Sequence, residues 1–163
     1  MTPPMLTLIR PAGPVEAPPV TGVVLRPPVV EDTVALGRLY FESYPPGVAS
    51  ASEQEAIEDI AMTFENAYGV LDRRLSRLAL VGDHLVGAIL VVERAPWPDT
   101  PDCAFVIELF TAPTHRRLGI ARLLLSGCSA DTVALRVDDD NTAALRLYRT
   151  FGFQDGTGRS GNP

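Results

Sequence analysis

The sequence predicts an α/β domain built around a mixed sheet, and two patterns carry that prediction. Aliphatic runs flank the turn pair Gly82–Asp83 within residues 75–96, which is typical of a β-hairpin and requires antiparallel pairing. A strand–helix–strand pattern over residues 104–137 requires a parallel pair joined by a right-handed crossover. A sheet that contains both kinds of pair is mixed, and the remaining helical segments must flank it.

Composition sets the broad class of protein. The chain has 163 residues, of which 46% are hydrophobic and 21% charged, and this fits one globular domain with a substantial core. No apolar run approaches the roughly 18 residues of a membrane span, and the N-terminus lacks the apolar core of a signal peptide. Cys103 and Cys128 show neither metal-ligand spacing nor a disulfide framework. We therefore expect a cytoplasmic protein that needs no membrane and no metal.

The charge balance argues against nucleic acid as a partner. The net charge is −6, the sequence pI is about 4.8, and no basic run is longer than a pair. Binding to a duplex usually needs a basic face. An acidic surface is compatible with a cationic substrate, but it is also the ordinary means of keeping a protein soluble.

The N-terminal half begins with a proline-rich arm, residues 1–20, ahead of the main domain at residues 21–163. Within the arm, "MLTLIR" (residues 5–10) could pair as a strand but need not. Residues 22–28 predict a strand that prolines end. Residues 30–47 predict a helix with acidic residues at its positive N-terminal end and a Pro-Pro-Gly stop.

The second helix, within residues 52–69, has the clearest pattern of the first half. Ser52 and Glu55 form a capping-box pair at its start. Apolar residues then recur at helical spacing, at Ile57, Ile60, Ala61, Phe64 and Ala67. Its outer side is acidic, which indicates either a solvated face or a surface that steers a cationic acceptor.

The C-terminal half alternates strands and helices. Residues 103–112 predict a central strand, residues 116–129 a short helix and residues 131–137 another strand. The last helix is expected from Asn141 to Thr150, where Gly152 ends it, and a stub of strand follows.

The segment "RRLGIA" (residues 116–121) indicates an anion-binding site after the central strand. A helix N-terminus presents unpaired N–H groups and a partial positive charge, and it binds phosphate where the backbone can be approached closely. Gly119 and Ala121 permit that approach, and the guanidinium groups of Arg116 and Arg117 can grip phosphate oxygens. The dinucleotide and P-loop glycine patterns are absent. These residues therefore predict a pyrophosphate cradle.

Two motifs together resemble one family. "RRLGIA" is similar to the R/Q-x-x-G-x-G/A motif of the GCN5-related N-acetyltransferase (GNAT) family. "LRVDDDNTAALRLYRTFGF" (residues 135–153) is similar to the family's later motif, with Asn141, Ala144, Leu147, Tyr148, Gly152 and Phe153 in register. The motifs occur in the right order with a strand between them, and the resemblance covers roughly residues 22–155.

The resemblance implies a fold and a cofactor site. It implies a mostly antiparallel sheet whose fourth and fifth strands splay apart as a parallel pair, with helices on both sides. It also implies acetyl-coenzyme A (acetyl-CoA) as acyl donor and an amine of a small molecule or protein as acceptor. The residues carried over as cofactor-binding are Leu109, Phe110, Thr111, Arg116, Arg117, Leu118, Gly119, Ile120, Ala121, Asn141 and Tyr148.

Direct transfer in a ternary complex needs an acid and a base. The resemblance implies that Tyr148 protonates the departing thiolate. Glu108 is the one acidic residue in an otherwise apolar strand beside the proposed site, so we expect it to be the base. Structural alternatives remain open: Tyr148 as a core aromatic, Asn141 as a helix cap, Glu108 as a buried paired carboxylate, and Trp97 as a loop cover rather than an acceptor contact.

The sequence departs from the family pattern at its end. "QDGTGRSGNP" (residues 154–163) is too rich in glycine to supply the family's further hairpin strand, so we expect that strand to be missing. An uncovered edge invites pairing, so either "MLTLIR" or a partner subunit in a homodimer should fill the place. The departure also leaves two rival functions, a catalytically silent coenzyme-A-binding sensor and a structural protein that keeps only the fold.

Overall fold

The structure is a computed structural model that describes residues 5–156. A seven-stranded sheet lies at its centre, in the order β2-β3-β4-β5-β6-β1-β7. Every neighbouring pair is antiparallel except β5 and β6, so the predicted mixed sheet is confirmed. The strands are β1 Met5–Arg10, β2 Val23–Arg26, β3 Arg77–Val81, β4 His84–Val92, β5 Ala104–Thr111, β6 Val133–Asp138 and β7 Gln154–Asp155.

Four α-helices flank the sheet where the sequence predicts them. They are α1 Thr33–Glu42, α2 Glu53–Phe64, α3 Ile120–Ser126 and α4 Thr142–Thr150, with 3-10 turns at Val30–Asp32 and Pro113–His115. Ser52 caps α2, because its side chain accepts a hydrogen bond from the Glu55 N–H at 3.1 Å. The longest of these helices has 12 residues, and none within residues 5–156 has the length and apolar character to cross a membrane.

Helices α1 and α3 pack on opposite faces of the sheet. The Tyr40 ring of α1 lies 5.4 Å from the ring of Phe110, which pairs with Ala88. The next position along β4, Gly87, points to the other face, because successive strand residues alternate. There a Cβ on Gly87 would lie 3.1 Å from Ile120 Cγ2, so the glycine lets α3 approach closely.

The N-terminal "MLTLIR" segment is a strand of the sheet. β1 pairs with β6 over six residue pairs, from Met5 opposite Asp138 to Arg10 opposite Val133, and Leu8 is fully buried. β7 adds only two residues on the far side of β1. The edge of β6 is therefore covered by residues of the predicted arm, which is the first of the two arrangements expected above; residues 157–163 of the glycine-rich tail lie outside the described part of the chain.

Arg10 connects this strand to the C-terminal helix. Its Nε donates a hydrogen bond to the Phe151 carbonyl oxygen at 2.8 Å, and its guanidinium lies 5.6 Å from the centre of the Phe151 ring. Phe151 caps the C-terminal end of α4. Because cations are favourable at the negative end of a helix, Arg10 stabilises both the end of α4 and its position against β1.

Candidate active site

The parallel strands β5 and β6 separate part of the way along their length. They pair only from Ala104 to Val106 of β5 and from Val133 to Leu135 of β6. A register shift between β4 and β5 at Leu90 and Val91 leaves Ile107 as an extra residue in β5, a β-bulge that bends the strand. Beyond it, β5 continues to Thr111 with β4 as its only strand partner in the described chain. The predicted splayed pair is thus present.

A cleft of about 520 Å³ opens where the strands diverge. Its walls come from the end of β5, the loop into α3, the exposed side of α4 and the C-terminal end of α1. Nine of the predicted site residues line it: Leu109, Phe110, Thr111, Arg116, Arg117, Gly119, Ile120, Ala121 and Tyr148.

The loop into α3 presents unpaired backbone donors to this cleft. Arg117 and Gly119 both have left-handed backbones, with φ of 64° and 91°. The first hydrogen bond of the helix runs from the Leu123 N–H to the Gly119 carbonyl oxygen, so the N–H groups of Ile120, Ala121 and Arg122 have no intrahelical partner. The loop is therefore suited to an anionic group.

The charges that line the cleft have one sign. Arg116, Arg117 and Arg122 belong to its wall, and among residues 5–156 no aspartate or glutamate does. This contrasts with the net charge of −6 of the whole chain. A cationic wall with free N–H groups favours a ligand that carries phosphate.

Tyr148 lies on the α4 wall with its hydroxyl free for a ligand. Its ring packs edge to face on Phe153, with 5.7 Å between ring centres. Within residues 5–156 the hydroxyl makes no hydrogen bond to the protein. Burial, with the nearby Glu108 carboxylate, raises the pKa of Tyr148 to about 12. The phenol is therefore protonated at neutral pH and able to donate a proton.

Glu108 lies beside the cleft rather than in its lining. Burial raises the pKa of Glu108 to about 8, the Tyr40 hydroxyl lowers it by hydrogen bonding to the carboxylate, and Asp59 raises it further. A carboxyl with such a pKa exchanges its proton near neutral pH. Glu108 also adjoins Leu109 and Phe110 of the cleft wall, so a base at this position is close to the proposed reaction centre.

Two predicted cofactor residues are not among those that line the cleft. The Asn141 side chain caps α4, where its Oδ1 accepts a hydrogen bond from the Ala144 N–H at 3.2 Å. Leu118 is 53% exposed. Asn141 is thus a helix cap, as one of the structural alternatives predicts. A contact of Asn141 or Leu118 with a cofactor stays a prediction.

Sequence reasoning missed several lining residues. Ala143 and Leu147 lie one helical turn apart on α4, so the spacing of the tyrosine motif could have found them. Ser43 and Tyr44 come from the C-terminal end of α1, and no sequence signal connects that helix with the arginine loop. The remaining lining residues are His115, Arg122 and Ala144.

Trp97 lies away from the cleft. Its ring packs edge to face on Phe105 at 5.9 Å, and it lines a separate surface cavity at the other end of the sheet, with Gly69, Arg94 and Pro96 among its neighbours. These contacts favour the interpretation that Trp97 covers a loop and does not contact the acceptor. Among residues 5–156, no three His, Cys, Asp or Glu side chains come together in a group that could hold a metal ion.

Comparison with known proteins identifies the architecture. A family model described as the acetyltransferase (GNAT) family matches residues 34–153. The structure is similar to a GCN5-related N-acetyltransferase from Sphaerobacter thermophilus, with 22% identity, a TM-score of 0.66 and 94% of this chain covered. The match covers 48% of that protein, so this chain spans about half of its length. No curated protein matches the chain significantly.

Two further similar structures are of acetyltransferases whose names state a substrate. Diaminobutyrate acetyltransferase from Paenibacillus lautus, in complex with L-2,4-diaminobutyric acid and coenzyme A, is 21% identical with a TM-score of 0.55, over 79% of this chain and 74% of that one. An aminoglycoside 6'-N-acetyltransferase from Acinetobacter haemolyticus is 18% identical with a TM-score of 0.61, over 86% of this chain and 96% of that one. Identities this low indicate a shared fold.

Proposed function

Because the chain belongs to the acetyltransferase (GNAT) family, we propose that it transfers an acetyl group from acetyl-CoA to a primary amine of a small molecule or a protein. The observation that carries the proposal is the cleft itself. One wall offers unpaired N–H groups and arginines, and the α4 wall offers a protonated tyrosine whose hydroxyl has no hydrogen-bond partner in the described part of the chain. This combination suits a ligand that has a diphosphate at one end and a thioester at the other.

The residues present fit coenzyme A. The N–H groups of residues 117–121, with the Arg117 guanidinium, would hold the diphosphate. Leu109, Phe110 and Thr111 would offer backbone groups to the pantetheine arm along the edge of β5 that β6 leaves free. When bound, acetyl-CoA supplies an acetyl group activated as a thioester.

Glu108 would remove the proton that blocks attack. An alkyl ammonium has a pKa near about 10.4, so most of the acceptor is protonated at neutral pH. Glu108 would accept that proton, directly or through water, and leave a neutral nitrogen. Attack on the thioester carbonyl carbon then forms the C–N bond and breaks the C–S bond.

Tyr148 would protonate the departing thiolate. Its raised pKa keeps the proton on the phenol until a strong base appears beside it. The ammonium loses two protons in all. Glu108 takes the first, and the second, lost from nitrogen as the C–N bond forms, replaces the proton that Tyr148 gives to the thiolate. The products are therefore an acetamide, a free thiol and one proton that passes from Glu108 to solvent. Both reactants must occupy the cleft together for this direct transfer.

A binding measurement followed by a turnover measurement tests the proposal. Acetyl-CoA should raise the melting temperature of the protein, and release of free thiol should follow on addition of one of five amines: L-2,4-diaminobutyric acid, spermidine, kanamycin, tyramine or a short lysine peptide. Binding without thiol release from any amine would favour a coenzyme-A-binding sensor. No melting shift at millimolar acetyl-CoA would rule out both and leave only a shared fold.

A further inference from the structure

The side chain of Arg116 is already engaged by the protein. Its Nη2 donates a hydrogen bond to the backbone carbonyl oxygen of Ser43, 73 residues earlier in the chain. This is a contact between the loop that leads into α3 and the C-terminal end of α1. Its neighbour Arg117 makes no side-chain hydrogen bond or ion pair within residues 5–156, so the two adjacent arginines are not equivalent.

The Ser43 carbonyl lies at a buried helix end, where the last carbonyl groups have no partner within the helix. Ser43 caps α1: its N–H donates to the carbonyl oxygens of Leu39 and Tyr40, and its hydroxyl donates to Leu39 at 2.6 Å. The residue is only 5% exposed. A guanidinium at this negative helix end satisfies the carbonyl and complements the helix dipole.

Tyr44 follows directly and lies in the wall of the cleft. Its ring packs edge to face on Tyr40 at 5.7 Å, and Tyr40 in turn contacts Phe110. Burial raises the pKa of Tyr44, the charges of Glu108 and Tyr148 raise it further, and Arg116 lowers it. Tyr44 therefore shares the cleft wall with Tyr148 and lies close enough to Glu108 to feel its charge, so the proposed function would place the acceptor amine beside it.

We infer that Arg116 is a positioning residue for the acceptor rather than a ligand of the diphosphate. Its guanidinium holds the C-terminal end of α1 through Ser43 and thereby keeps Tyr44 in the cleft wall that Tyr148 shares. Arg117 and the loop N–H groups are left to bind the diphosphate. This inference rests on the proposed acetyl transfer, which it deepens by assigning one arginine to each substrate.

The test compares Arg116→Ala with Arg117→Ala in the full chain, with coenzyme A and pantetheine as probes, since pantetheine lacks the phosphates. Arg116→Ala should change the coenzyme A Kd by less than about threefold, and it should raise the KM of the fastest amine among the five by about fivefold or more with a smaller effect on kcat. Arg117→Ala should have the opposite effects: it should raise the Kd of coenzyme A, but not that of pantetheine, and it should leave the amine KM nearly unchanged.

Two further readouts separate positioning from a general loss of stability. Arg116→Lys should recover much of the KM, because an ammonium can also donate to one carbonyl oxygen. In a Tyr44→Ala background, Arg116→Ala should add little to the KM. Hydrogen exchange of residues 43–50 should quicken in Arg116→Ala and not in Arg117→Ala, with no amine needed.

The inference is overturned if Arg116→Ala weakens coenzyme A about tenfold or more while leaving pantetheine unchanged, because this is the behaviour of a phosphate ligand. It is equally overturned if neither the amine KM nor the exchange of residues 43–50 changes. Failure of the wild-type protein to bind coenzyme A or release thiol would instead remove the proposed function, and the exchange comparison would still report on the Arg116–Ser43 contact.

Discussion

Val20 lies beside Gly119, a residue of the cleft wall. A Cβ placed on Gly119 would come 3.7 Å from Val20 Cγ2, an ordinary contact, and would meet no other described atom within 4 Å. Space inside the protein therefore does not require glycine at this position. The requirement comes from the backbone, whose φ of 91° is disfavoured for residues with a Cβ, and from the need for a ligand to approach the loop.

Replacing Gly119 with alanine should weaken coenzyme A binding more than it weakens the fold. The left-handed backbone should cost about 1–2 kcal/mol of unfolding free energy. The added methyl also stands in the cleft wall, so the Kd for coenzyme A should rise by about tenfold or more. Titration calorimetry and urea unfolding measure the two effects.

The matched control is Gly82→Ala in the β3–β4 turn. Gly82 has a φ of 61°, no atom within 4 Å of an added Cβ, and no place in the cleft. The Gly82→Ala variant should lose about as much unfolding free energy as Gly119→Ala and should bind coenzyme A with the affinity of the wild type. Equal affinities for the two variants would show that the loop does not approach the cofactor.

Glu108→Gln should make the protein relatively more stable at alkaline pH. The folded-state pKa of about 8 lies above the unfolded value of 4.5, so the stability that the protonated carboxyl provides is present below pH 4.5 and lost as the pH rises through 8. Glutamine does not ionise, so the variant's melting temperature should gain on the wild type between those pH values. A difference in melting temperature between variant and wild type that does not change with pH would contradict the raised pKa of Glu108. Glu58→Gln, on the exposed side of α2, is the control.

Ionisation of the Glu108 carboxyl should also govern how kcat/KM depends on pH. If Glu108 is the base, kcat/KM should rise with pH and level off above about 8, since only the carboxylate accepts a proton. Glu108→Gln should lower kcat by about 10²-fold or more and abolish this rise. A retained rise in the variant would assign the base to another group or to water.

Tyr148→Phe should impair turnover without unfolding the protein. The lost hydroxyl has no protein partner within residues 5–156, so the melting temperature should hold, and coenzyme A should still bind. Without the proton donor, kcat should fall by about 10²-fold or more. Tyr68→Phe is the control. The Tyr68 hydroxyl donates a hydrogen bond to Asp59 outside the cleft, so this variant should have a lower melting temperature and an unchanged kcat.

Leu8→Ala tests whether the N-terminal segment belongs to the core. Leu8 is fully buried in β1 between β6 and β7, so the substitution should cost about 3 kcal/mol of unfolding free energy. Met5→Ala on the same strand, where the side chain is 51% exposed, should cost no more than about 0.5 kcal/mol. Similar small losses for both would mean that β1 detaches from the sheet in solution.

Much of the fold could be predicted from the sequence because its signals are local. The Gly82–Asp83 turn, the Ser52 cap and the apolar spacing of α2 each depend on residues a few positions apart, and each occurs where predicted. The arginine–glycine loop is predicted from equally local residues, because Arg116, Arg117 and Gly119 lie together before a helix. Its left-handed backbone at Arg117 and Gly119 is a finding of the structure. Pairing of "MLTLIR" was left open, since its partner β6 lies more than 120 residues away.

The sequence by itself therefore determined the order of the elements, the mixed sheet and the two motifs that supply opposite walls of the cleft. Only the tertiary structure decided that β1 covers the edge of β6, that Glu108 lies partly buried beside Tyr40, and that Arg116 contacts Ser43. The physical reason is distance along the chain. Backbone propensity and capping act within a few residues, whereas burial, charge environment and hydrogen bonds between remote segments exist only after the sheet has assembled.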